Sequence, residues 1–80
     1  MTKSVFTKRY QLFLSMLVSA RQEKGLSQRD VAKRLKKIQS YVSKYERGER
    51  RLDVIEFLDV AKVLDADPHA IIETSRVSAA

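Results

Sequence analysis

Eighty residues suit one compact domain, with a hydrophobic share of 44% to form a core and 32% charged residues to solvate its outside. Two glycines and one proline favour helices joined by short turns over a sandwich or a barrel. The net charge of +6 suggests a polyanionic partner, while zero cysteines and a lone histidine, His69, exclude disulfides, thiolate zinc sites and a histidine-based triad.

The first six residues show no pattern, although Val5 and Phe6 are candidates for packing on the body or on a second subunit. From Thr7 a helical stripe follows: Tyr10, Phe13, Leu14, Leu17, Val18 and Arg21, spaced i, i+3, i+4, i+7, i+8, i+11, with Gly25 as the stop. Leu12 and Met16 lie off this stripe and read as surplus apolar surface. Residues 12–20 are too short to span a bilayer. The basic start before them resembles a signal peptide only faintly, so a cytoplasmic protein without a membrane partner is expected.

A second helix opens at Ser27, with Asp30 completing a capping box and Leu26 placed to staple against Val31. Val31, Ala32 and Leu35 point inward, Arg29, Lys33, Arg34 and Lys36 outward, and the helix is expected to end near Lys37. A third helix spans about 39–47, with Val42 and Tyr45 inward, Tyr41 outward and Gly48 as its end. A fourth opens at Asp53 with Glu56 as capping-box partner and Leu58, Ala61 and Leu64 as its core stripe, joined by Val54 and Phe57. A short fifth begins at Asp67 and Pro68, uses Ile71 and Ile72 for apolar contact, and leaves 75–80 as a loose tail. The expected architecture is all-α: one five-helix domain over 1–80 with its core at about 7–74.

Charge is unevenly placed. Residues 25–51 carry nine basic and three acidic side chains, while residues 52–80 carry two basic and six acidic. The middle therefore faces a polyanion and the end faces elsewhere. The second and third helices have the small residue, Ala32, and the apolar positions Leu35, Val42 and Tyr45 that a helix-turn-helix needs, although any helical hairpin packs similarly.

The segment from Leu26 to Arg51, LSQRDVAKRLKKIQSYVSKYERGERR, strongly resembles the lambda-repressor-like, Cro/XRE-type helix-turn-helix family. Ser27-Gln28, Val31-Ala32, Gln39-Ser40, Val42-Ser43 and Glu46-Arg47-Gly48 carry the likeness most specifically, and it extends over residues 17–72. The resemblance implies that Gln28 touches a phosphate and orients Gln39, and that Gln39 reads an adenine through its carboxamide. It places Ser40, Ser43 and Lys44 on the same base-reading face, gives Arg47, Arg50 and Arg51 to phosphates, and makes Arg21 and Glu46 an internal ion pair. Three positions depart from the family pattern. Lys36 stands where glycine is usual, so the second helix is expected to run one residue longer; Ile38 replaces the usual capping residue; Asp65 replaces a frequent glycine.

The function implied is a sequence-specific, double-stranded-DNA-binding transcription regulator, in the simplest case a repressor. It would act as a homodimer on a near-palindromic operator, joined through the fifth helix and the N-terminal segment. Catalytic residues, metals and cofactors are not expected: the chain has no phosphate-binding glycine loop and no nucleophile beside a base. The alternative is an antitoxin or other interaction module whose main partner is a protein.

Overall fold

The computed structural model describes residues 7–77, with five helices: α1 Lys8–Glu23, α2 Gln28–Leu35, α3 Gln39–Glu46, α4 Val54–Val63 and α5 Pro68–Val77. Val5 and Phe6, and the end of the expected tail at 78–80, lie outside the described residues. Four of the five helix starts have a local chemical cause. The Thr7 hydroxyl accepts the Tyr10 N–H at 3.1 Å. Ser27 with Asp30, and Asp53 with Glu56, form reciprocal capping boxes, and the Asp67 carboxylate accepts the His69 N–H at 2.9 Å. At Ile38 no side chain caps α3.

The core gathers one stripe from every helix: Leu14 and Leu17 from α1, Val31 and Ala32 from α2, Val42 and Tyr45 from α3, Phe57, Val60, Ala61 and Leu64 around α4, and Ile71 from α5. Each of the larger side chains, fully buried, contributes about 1.5–3 kcal/mol. Tyr45 is wholly buried, and its hydroxyl has no hydrogen-bond partner among the described residues, so it serves the core by volume.

Several expectations need correction. Lys36 does not continue α2: it is left-handed, φ 60°, and the helix ends at Leu35. The Lys37 N–H reaches back to the Ala32 carbonyl at 2.9 Å and the Lys36 N–H to Lys33 at 3.1 Å, a closure that satisfies the last carbonyls and turns the chain toward α3. That closure and the packing it permits outweigh the roughly 1 kcal/mol that a side chain costs in this conformation. Asp65 is left-handed likewise, φ 53°, where the pattern suggested it.

On α4 the buried stripe is Phe57, Val60, Ala61 and Leu64, whereas Val54 and Leu58 are 70% and 42% exposed. Phe57, Ala61 and Leu64 are buried as expected, and Val60 takes the place of Val54 and Leu58 because apolar residues surround that helix on nearly every side. Helix α5 continues to Val77, into the expected tail, and of its two isoleucines only Ile71 is buried while Ile72 is 52% exposed. Met16 is half-buried against the core and Leu12 is half-buried as well, so neither forms a free patch.

Candidate nucleic-acid interface

Helices α2 and α3 pack on each other more extensively than any other pair, with α3 also resting on α1. Val42 and Tyr45, three positions apart, share the inward face of α3, so Ser40 and Lys44, each two positions from Val42, fall on the opposite side. Gln39, Ser40 and Lys44 are exposed, and Ser43 is half-buried. Gln39 shares a notch of about 410 Å³ with Arg29, Asp30, Lys33 and Lys37, so a carboxamide, three cations and one carboxylate already bonded to the Ser27 N–H line the place where α2 meets the start of α3. A carboxamide presents a donor and an acceptor at the spacing of an adenine edge, and the cations suit phosphate oxygens on either side.

The other expected site residues fall into two classes. One class is bonded to other groups of the protein. Arg21 grips Glu46 with Nε on Oε2 at 2.7 Å and Nη2 on Oε1 at 3.1 Å, and its Nη1 donates to the Leu26 carbonyl at 3.0 Å. Their side chains are 14% and 6% exposed, and the bond to Glu46 raises the Arg21 pKa further above its ordinary value. The Gln28 amide donates to the same carboxylate at 2.8 Å. No bond joins Gln28 to Gln39 among the described residues. Glu46 thus fastens the end of α3 to α1 and to the first turn of α2.

Arg47 donates to the Ser43 hydroxyl and to Glu49, the latter at 2.8 Å and 3.2 Å. Arg50 presents its fork to Glu56, at 3.0 Å and 2.7 Å, while stacking 4.7 Å from the centre of the Tyr41 ring. The Arg50 fork and the Asp53 N–H together pull the Glu56 carboxyl down to about 2. Tyr41, expected on the outer face, is instead half-buried, with the Lys37 ammonium 5.3 Å from its ring centre.

The second class is outward-facing: Gln39, Ser40, Lys44 and Arg51 have no hydrogen bond or ion pair from their side chains among the described residues, and Arg51 rests its guanidinium 4.9 Å from the Tyr10 ring centre. Arg29, Lys33 and Lys37 around the Gln39 notch were legible in the sequence as a charged face, but their convergence on one glutamine needed the fold. Ile38, 74% exposed at the start of α3, was read only as a poor cap.

This arrangement matches the helix-turn-helix family over residues 17–71. The chain belongs to the XRE-type helix-turn-helix family. It is similar to the solved structure of an XRE-family like protein from Pseudomonas syringae pv. tomato str. DC3000, at 43% identity and a TM-score of 0.84, over 90% of this chain and 88% of that one. The structure of the clp gene regulator ClgR from C. glutamicum shares the fold at 24% identity and a TM-score of 0.75, over 88% of this chain and 90% of that one. A comparison with curated proteins found no match. As an XRE-type protein, the chain is a DNA-binding helix-turn-helix protein of the kind that regulates transcription. No described helix is long and apolar enough to cross a membrane, and no group of acidic or histidine side chains among the described residues is arranged to hold a metal.

Proposed function

We propose that the protein is a sequence-specific regulator that lays α3 in the major groove and represses by occupying its operator as a homodimer. The supporting observation is the outward face of α3. Gln39, Ser40 and Lys44 are free to reach base edges, Ser43 stands behind them, and the helix is clamped by Val42, Tyr45 and the Arg21–Glu46 pair so that it cannot rotate them away. Arg29, Lys33, Lys37 and Arg51 hold phosphates beside it, and Arg47 joins them by exchanging Glu49 for a phosphate. A few base contacts at about 1–3 kcal/mol each give limited discrimination, and a second copy doubles them at a spacing of about 34 Å, one DNA turn.

The surface for the second copy is on α4 and α5. Val54, Ile55, Leu58 and Ile72 are all exposed there, beside an open apolar groove of about 610 Å³ floored by Tyr10, Phe13 and Phe57. This half of the chain is acidic while Arg9 and Arg76 line the groove, so both signs are present for a self-complementary contact. The same apolar face also suits the second reading, an antitoxin-like module that holds a different protein.

Gln39→Ala tests the base-reading assignment. Affinity for the preferred duplex is expected to fall about tenfold or more, with binding to a scrambled duplex changed less than about twofold. Equal loss on both duplexes would remove Gln39 from base readout.

A further inference from the structure

Ile38 breaks two local rules at once. It occupies the cap position of α3 with φ −75° and ψ 157°, where Ser, Thr, Asp or Asn would accept a helix N–H, and it makes no such bond. Its side chain is also 74% exposed, the most exposed large hydrophobic among the described residues. The other four, Val54, Ile55, Leu58 and Ile72, sit together on α4 and α5, so Ile38 is not part of that patch. Both faults could be cured by one polar substitution, and local rules are broken mostly where a functional contact compensates.

The surroundings indicate the kind of contact. Ile38 immediately precedes Gln39, and the notch at Gln39 is lined by Arg29, Lys33 and Lys37 together with Ala32 and the capping Asp30. An apolar branched chain next to a carboxamide and cations suits the interior of a DNA groove, where phosphates lie at the edges. The major groove offers one apolar group on its base edges, the 5-methyl of thymine. A thymine methyl next to the adenine held by Gln39 would bury the exposed branch of Ile38, and a polar cap residue there would gain helix stability but lose that contact.

We propose that Ile38 is a specificity-determining residue that packs on a thymine 5-methyl adjacent to the base read by Gln39. The inference rests on the base-reading function proposed above. The test replaces each thymidine of the selected duplex, one at a time, by deoxyuridine, which removes the methyl and leaves every hydrogen-bonding group in place. Binding of wild type and Ile38→Ala is then read by fluorescence anisotropy. At one position per half-site the wild type is expected to lose about fourfold, the worth of one methyl removed from water. Ile38→Ala is expected to bind the thymine duplex as weakly as the wild type binds the uracil one, and to show no difference between them. Ile38→Ser, which restores the cap, is expected to melt at a higher temperature than the wild type while showing the same indifference to the methyl. If Ile38→Ala still distinguishes thymine from uracil as the wild type does, or if the wild type ignores every methyl, the proposal is overturned and the base-reading function survives. A wild type that does not prefer the selected duplex over a scrambled one overturns both.

Discussion

Two adjacent arginines follow α3 and meet different partners. Both were expected on phosphates from their place in a basic loop. Arg50 places its fork on Glu56 and its plane on Tyr41, so its charge is neutralised within the protein and its geometry links α3 to α4. Arg51, one residue on, faces outward with only the Tyr10 ring beneath it. Sequence could not separate them, because the difference lies in which way the loop turns after Gly48. Arg51→Ala is therefore expected to lower affinity for all duplexes and reduce the slope of log affinity against log salt by about 1. Arg50→Gln, which removes both the charge and the fork, should leave that slope unchanged and lower the melting temperature. Anisotropy titrations at four salt concentrations distinguish the two, and a slope that falls in Arg50→Gln would return Arg50 to the phosphates.

At the scale of the helices, capping chemistry made the starts of α2, α4 and α5 legible, since Ser27–Asp30, Asp53–Glu56 and Asp67–Pro68 are local signals that the fold uses as they stand. The α2–α3 turn was not legible. The left-handed Lys36 is imposed by the crossing of two helices, a tertiary demand that overrides the residue's own preference. The buried edge of α4 was misread for a related reason: with Val54, Ile55, Leu58, Val60 and Val63 distributed around it, only its neighbours decide which of them are covered.

The Arg50–Glu56 bridge gives this level a pH dependence. Because the Glu56 carboxyl is more acidic folded than unfolded, the stability it adds is present above its ordinary value near 4.5 and fades as pH falls toward about 2. Glu56→Gln is expected to melt below the wild type at pH 7 and to converge on it near pH 2.5. Thermal melts followed by circular dichroism across that range check this. A difference that stays constant with pH would mean that the bridge adds no charge-dependent stability.

For the whole molecule, the division of charge read from the sequence corresponds to a division of surfaces: a basic face on α2, α3 and the following loop, and an apolar, partly acidic face on α4 and α5. The fold class was apparent in the sequence, and residues 26–51 suggested the face proposed above to read bases. The apolar face was not, because Ile72 and Val54 had been counted toward the core. If that face joins two copies, Ile72→Glu should shift the native mass from dimer to monomer without unfolding the chain. It should also cost more affinity for a duplex with two half-sites than for one with a single half-site. A monomeric wild type at micromolar concentration would assign the face to another protein instead.

The central claim, that this chain reads DNA sequence in pairs of half-sites through α3, is tested most directly by selection. The purified protein is mixed with a randomised duplex pool at about 150 mM salt, where non-specific phosphate binding is weakened, and the retained duplexes are sequenced. The account predicts an inverted repeat with an adenine in each half-site and the half-sites about one helical turn apart. Retention without any consensus, or no retention, would contradict it.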